Sequence, residues 1–304
     1  MAAKPLLICV VGATAIGKTA LGITLANAFN TEIISADSRQ FYKEMEIGTA
    51  VPSKKELATA VHHCIQHKSI FDTYTVGDFE REALQKLDYL FTKRPIAILV
   101  GGSGLYVDAV VKGLDHFPNI SEEIRIELNK KLDHEGIKAL QEELRKVDPV
   151  HYNNVDIENP RRVIRALEIY RGTGKPYSSF LTAKAVQRNF DICYVGLTAE
   201  RPVMYDRINR RVDNMIGHGL LDEVKNLYPH RTLNALQTVA YRELFQYMEG
   251  TFTLEKAIEE IKKNTRRFAK RQGTWYRKNE HIQWFDYATP YSEIITTLKE
   301  KNAL

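Results

Sequence analysis

Three cysteines in 304 residues, Cys9, Cys64 and Cys193, are too few and too scattered for a disulfide framework, and no C-x-x-C pair offers zinc-finger spacing. Odd, separated thiols suit a reducing compartment, and a cytoplasmic location is expected. No apolar run approaches the ~20 residues that span a bilayer, so no membrane partner is expected. The opening M-A-A-K-P-L-L-I-C-V-V-G leaves little room for a cleavable signal, because its apolar run is needed as a strand. Internal repeats and low-complexity segments are absent. Excess charge is small too, since 43 basic against 38 acidic residues leave +5. What excess there is sits in residues 261–280, which hold eight Lys/Arg against one acid. A basic surface so local points to a partner.

What is present is globular: 44% of residues are hydrophobic and 27% charged, and the length suits one large domain or a core with an appendage. Four β-branched-rich runs, L-L-I-C-V-V (6–11), E-I-I-S-A (32–36), I-A-I-L-V (96–100) and I-C-Y-V-G-L (192–197), lack polar alternation and are bounded by Gly, Asp, Pro or Ser. Such runs suit parallel strands buried on both faces. Helical stretches lie between them, so the fold class is α/β. From about 119 to 190 the pattern is helix without strand, with Pro160 in a first turn and R-G-T-G-K-P as a stop at Gly172 and Pro176. The expected domains are a core of 1–118 and 191–304 and a helical insertion of 119–190, with helix from the fourth strand to the end.

After the first strand, G-A-T-A-I-G-K-T fits the phosphate-loop pattern G-x-x-x-x-G-K-[ST] at Gly12, Gly17, Lys18 and Thr19. Such a loop turns backbone N–H groups toward phosphates, aims a lysine at them and offers a hydroxyl to Mg²⁺. The third strand, however, ends in G-G-S-G-L-Y, not in the acid that a Walker-B strand supplies. The acid ends the second strand instead, in I-I-S-A-D-S-R-Q-F-Y. At the carboxyl edge of a parallel sheet Asp37 faces the loop, as magnesium anchor, general base or helix cap.

In the basic run, Lys262, Arg266 and Lys270 form one helical stripe and Lys263, Arg267 and Arg271 another, with no interleaved acid. Ile258, Ile261, Phe268 and Ala269 form the packing side, Thr253 the N-cap and Gly273 the stop. Trp275, Tyr276, Arg277 and Lys278 follow, and aromatics beside arginines can stack on unpaired bases, so nucleic acid is the expected partner. His63 and His67 stand at i, i+4 in H-H-C-I-Q-H, but without a further ligand nearby the stretch does not read as a zinc site.

Together these stretches resemble the tRNA dimethylallyltransferases, or tRNA isopentenyltransferases. The resemblance runs through I-S-A-D-S-R-Q-F-Y-K-E-M-E-I-G-T-A-V-P, L-V-G-G-S-G-L-Y, R-V-D-N-M-I-G-H-G-L-L-D-E-V, Q-T-V-A-Y-R-E-L and K-R-Q-G-T-W-Y-R. It implies a P-loop NTPase-like parallel sheet core with a helical insertion domain and a helical C-terminal region. The implied reaction moves a dimethylallyl group from dimethylallyl diphosphate to the exocyclic N6 of the adenosine 3′-adjacent to the anticodon of tRNA. The implied diphosphate loop is Gly12, Ala13, Thr14, Ala15, Ile16, Gly17, Lys18 and Thr19, with Mg²⁺ on Thr19. Asp37 is the implied general base, Ser103 lines the channel, and Arg211 binds the leaving pyrophosphate. Positions matching tRNA contacts are Asp37, Ser38, Arg39, Gln40, Ser103, Arg125, Arg161, Arg162, Val163, Ile164, Arg165, Gln237, Thr238, Val239, Ala240, Tyr241 and Arg242. The last segment adds Lys270, Arg271, Gln272, Gly273, Thr274, Trp275, Tyr276 and Arg277. A monomer is expected, bound to the anticodon stem-loop. Ala13 and Ile16 replace the family's Pro and Ser, Ser103 replaces a threonine, and the zinc finger of eukaryotic relatives is absent, so the bacterial type is the nearer match. The rival readings are a phosphate-loop small-molecule kinase, a free-adenylate isopentenyltransferase and a non-catalytic RNA-binding protein.

Overall fold

The computed structural model describes residues 4–181 and 186–302. Six strands, β1 (Leu6–Gly12), β2 (Ile33–Ser35), β3 (His62–His63), β4 (Ile96–Val100), β5 (Asp191–Thr198) and β6 (Ile282–Asp286), form one parallel sheet in the order β3-β2-β4-β1-β5-β6. The helices are α1 (Lys18–Ala28), α2 (Lys54–Thr59), α3 (Val76–Phe91), α4 (Gly104–Lys112), α5 (Glu122–Glu135), α6 (Ile137–Val147), α7 (Pro149–Asn154), α8 (Pro160–Thr173), α9 (Arg201–Gly217), α10 (Leu220–Leu227), α11 (Tyr241–Met248), α12 (Leu254–Tyr276) and α13 (Tyr291–Asn302).

Alternation along the central strands explains their uninterrupted apolar sequence. Leu7, Cys9 and Val11 of β1 pack with Ala97 and Leu99 of β4 on one face, under Phe79, Ala83 and Leu87 of α3. Leu6, Ile8 and Val10 pack with Ile96 and Ile98 on the other, under Leu21 and Leu25 of α1 and Ile294 and Leu298 of α13. A strand covered on both faces has no polar side to display. The chain after β5 is not all helix as the sequence suggested: β6 pairs Ile282 with Tyr194 and Phe285 with Leu197 at the sheet edge.

Two compact units divide the chain, Met1–Lys112 with Arg188–Leu304, and Gly113–Gln187. In the second, Leu128, Leu140, Leu144, Val163, Ile164 and Leu167 make the core. Pro160 opens α8 after Asn159, whose side chain accepts the Arg161 N–H. The stop is Gly174 at φ +70, while Gly172 lies inside the helix, where an added Cβ would sit 2.5 Å from Ile120.

Candidate active site

The phosphate loop joins β1 to α1. Gly12 has φ +139, and a Cβ there would lie 2.6 Å from the Leu197 carbonyl oxygen. Gly17, at φ +112, is the N-cap of α1 and offers no side chain to its first N–H groups. Those donors are left for an anion, which the helix dipole also favours. Ala13 and Ile16 are buried in the protein, so the two positions that depart from the family loop point inward. Arg207 of α9 donates Nε to the Ala15 carbonyl at 2.8 Å, and Lys18 Nζ donates to the Ala13 carbonyl at 2.7 Å.

A cavity of about 440 Å³ opens over this loop, lined by Thr14 to Thr19, Asp37, Gln40, Glu56 and three arginines, Arg207, Arg210 and Arg211. Burial lowers the Lys18 ammonium to about 8, with Asp37 opposing that shift and Arg211 adding to it. Burial also lowers the Arg211 guanidinium, against the pull of Asp37. Two cations held at a desolvation cost are a site that gains when an anion enters. A second cavity of about 220 Å³ has Val212, Met215, Val239, Ala240, Ile261 and Phe268 on its apolar side. Thr14, Asp37 and Arg211 belong to both walls. An anion-binding end and an apolar end therefore meet at a hydroxyl, a carboxylate and a guanidinium.

No helix follows Asp37 directly. Its Oδ1 accepts the Arg39 N–H at 3.1 Å, a turn within the residue's own segment. Ser103 is on neither cavity wall. Its hydroxyl accepts the Ser38 N–H at 3.1 Å and lies 3.2 Å from the Ser38 hydroxyl, tying the ends of two strands. Arg39 Nη1 donates to the carbonyls of Asn234 and Ala235, at 3.1 and 3.0 Å. Gln40 is buried, and its Nε2 donates to the Thr49 and Ala50 carbonyls at 3.1 and 2.9 Å.

The segment 237–242 divides. Thr238, Val239 and Ala240 line the second cavity, Arg242 is exposed, and Gln237 Nε2 donates to the Arg231 carbonyl at 2.5 Å. Tyr241 is fully buried. The side chains of Val163, Ile164, Tyr241, Gln272 and Tyr276 are buried, so they offer RNA no exposed side-chain surface in this structure. Within the helical unit Arg161 and Arg162 are exposed, and Arg125 and Arg165 share the buried Glu168 at 3.8 and 3.3 Å.

The basic helix also differs from its sequence pattern. It does not stop at Gly273 but continues as α12 to Tyr276, and Phe268 is 39% exposed instead of packed. Lys262 pairs with Asp213 at 2.5 Å, Lys263 with Glu260 at 3.0 Å, and Arg266 donates to Asn209 at 2.8 Å. Those three cations have protein partners, of which Glu260 is one helical turn away in sequence while Asp213 and Asn209 come from another helix. Arg267, Lys270, Arg271, Thr274, Trp275 and Lys278 line an exposed groove of about 500 Å³.

Among the described residues, Cys64, His67 and Glu82 bring ligand-type atoms within 4.8 Å of one another. Glu82, however, is already held by the Tyr74 hydroxyl at 2.9 Å, Lys68 at 3.2 Å and His67 at 3.0 Å. Burial pushes the Cys64 thiol up to about 12. His63 pairs with Glu32 instead of joining His67.

Sequence reasoning missed Arg207 and Arg210, although R-I-N-R-R places both within one helical turn of each other, with Arg207 three residues before Arg210 and four before Arg211. It also missed what Gln272 does. Its Oε1 accepts the Thr14 N–H at 2.8 Å and its Nε2 donates to the Gly102 carbonyl at 2.9 Å, bridging the phosphate loop and the turn after β4.

The family model described as IPP transferase matches residues 40–279. A tRNA dimethylallyltransferase of Flavobacterium psychrophilum is 56% identical over 301 residues, covering 97% of this chain and 98% of that protein. Another, tRNA dimethylallyltransferase 1 of Bacteroides thetaiotaomicron, is 45% identical over 98% of this chain and 96% of its own length. The crystal structure of a full-length tRNA isopentenylpyrophosphate transferase from Bacillus halodurans superposes with a TM-score of 0.72 at 39% identity, covering 99% of this chain and 96% of that one. A eukaryotic dimethylallyltransferase, crystallised acting on tRNA, gives 0.81 at 27% identity over 98% of this chain and 77% of its own.

Proposed function

This chain belongs to the IPP transferase family, and from that premise we propose that it transfers a dimethylallyl group from dimethylallyl diphosphate to the exocyclic N6 of the adenosine beside the anticodon of tRNA. It is a tRNA prenyltransferase. The observation that carries the finer reading is the meeting of a cation-lined and an apolar cavity at Thr14, Asp37 and Arg211.

In this reading the diphosphate lies on the loop from Gly12 to Thr19, against Lys18 and Arg211. N6 attacks C1 of the dimethylallyl group as the C1–oxygen bond breaks, and pyrophosphate departs with the electron pair. Charge gathers on the leaving group, where Lys18 and Arg211 meet it without reorganising. An aromatic amine is a poor nucleophile until it sheds its proton, and Asp37, on both cavity walls, takes that proton. A base in the anticodon loop reaches the cavity only by leaving its stack.

The donor set fits a hard cation, because the Thr19 hydroxyl and the Asp37 carboxylate line one cavity with Glu56. Thr19 would hold Mg²⁺, which when bound adds positive charge to the diphosphate oxygens. Among the described residues no helix is long and apolar enough to cross a membrane.

RNA would lie along the groove of Arg267, Lys270, Arg271 and Trp275, with Trp275 offering a face for stacking. Replacing Arg267, Lys270 and Arg271 together by Gln keeps helix propensity and removes three charges. The expected result is weaker tRNA binding and a slope of log affinity against log salt shallower by roughly 0.7–0.9 for each phosphate no longer neutralised. Pyrophosphate affinity should stay at the parent's value. Binding curves that match the parent at every salt concentration would make this groove plain solvated surface.

A further inference from the structure

We infer that Glu223 is a positioning residue for the transfer reaction: it fixes the turn whose carbonyls set Arg211 and Gln40 against the diphosphate cavity. The inference rests on the reading of that cavity given above.

Glu223 stands in the first turn of α10 and lies on neither cavity wall. Its Oε2 accepts the N–H groups of Glu46 and Ile47 at 3.0 and 2.7 Å. Its Oε1 accepts the N–H of Gly48 at 2.9 Å and the hydroxyl of Tyr241 at 2.6 Å. Three consecutive backbone donors thus converge on one carboxylate, the concave arrangement that binds anions elsewhere, here filled by the protein's own side chain. Hydrogen bonds to a charged acceptor are roughly twice as strong as neutral ones.

The packing agrees. The Tyr241 ring lies against the turn so closely that a Cβ on Gly48 would sit 2.6 Å from it. Ala50 closes the turn at φ +48, a conformation that a non-glycine residue keeps only when its surroundings over-determine it. What the turn delivers is the Thr49 carbonyl, which accepts from Gln40 Nε2 at 3.1 Å and from Arg211 Nη2 at 3.4 Å. Both side chains line the diphosphate cavity. Glu223 therefore acts on the anion site through one backbone turn, and a loss of its carboxylate should be felt where Arg211 is felt.

Glu223→Gln keeps the size of the side chain but presents only one acceptor oxygen to four donors. Binding of inorganic pyrophosphate, measured by calorimetry, should weaken about tenfold, as expected for losing hydrogen bonds to a charged group. The same change made on an Arg211→Gln background should cost less than about twofold, because residues acting as one unit are not additive. Affinity for tRNA and its salt slope should not move. Tyr241→Phe is the second variant, removing one donor while keeping the ring, and it should give a smaller loss with the same dependence on Arg211. Equal losses on both backgrounds, or parental pyrophosphate affinity in Glu223→Gln, would overturn the assignment and leave Glu223 with a stabilising role alone. If the parent chain itself binds no pyrophosphate, the reading of the cavity fails and this inference with it.

Discussion

Asparagine in place of Asp37 is expected to slow prenyl transfer by about 10²–10⁴-fold, the range of general-base catalysis, with tRNA affinity nearly unchanged. The substitution is sharp because the carboxylate has two separable tasks. Its Oδ1 accepts the Arg39 N–H and shapes the turn, which an asparagine oxygen does equally well. Only the capacity to take a proton is lost. Asp37 lies on the walls of both cavities, so no other carboxylate of the shared lining stands ready to replace it. Single-turnover transfer under saturating tRNA and donor reads the chemical step directly. A near-parental rate would reduce Asp37 to a turn residue.

Lys18→Gln is expected to cost about 10²–10³-fold in rate, as when one preorganised donor to a developing negative charge is removed. It should also change the pH dependence of pyrophosphate binding. Burial holds the Lys18 ammonium at about 8 in the free protein, and a bound polyanion favours the charged form. Binding therefore takes up a proton as the pH rises through 8, and affinity should fall there by as much as tenfold per pH unit. The sign for the unliganded fold is opposite. Between about 8 and the ordinary lysine value near 10.5 the unfolded chain holds the extra proton, so this group raises stability as pH rises across that window. Calorimetry in buffers of different ionisation heat measures the proton uptake. Uptake that persists unchanged in Lys18→Gln would assign it to another group.

Local chemistry was legible where one stretch of chain carries it. Lys18 and Thr19 follow a strand and open a helix, and Asp37 ends the next strand, so loop and acid could be placed without coordinates. The central strands were legible because burial on both faces removes every polar residue from them. Strand β6 was not. Of its residues I-Q-W-F-D only Ile282 is buried, with Trp284 and Asp286 exposed at the sheet edge, and they follow the basic run, so the stretch lacks the unbroken apolar pattern of the central strands. Gly273 reads as a stop, yet α12 runs on because Tyr276 is anchored, its hydroxyl donating to the Gly101 carbonyl at 3.3 Å. The pairing of Lys262 with Asp213 and the return of Arg207 to the Ala15 carbonyl join segments far apart in sequence. Nothing local announces such partners. The same holds for Glu223, whose four donors come from a turn and a helix on either side of it in the chain.

The central claim, that the phosphate loop holds a prenyl diphosphate for an RNA acceptor, is tested most directly by one incubation. Purified protein is mixed with Mg²⁺, unmodified tRNA and dimethylallyl diphosphate labelled in the prenyl group, with ATP in a parallel reaction, and the tRNA is digested to nucleosides. The expected result is label on N6 of a single adenosine beside the anticodon, one pyrophosphate released per label transferred, and no phosphate released from ATP, since β4 is followed by Gly101 and Gly102 and not by an acid. Unlabelled tRNA together with steady RNA-stimulated phosphate release from ATP would contradict it.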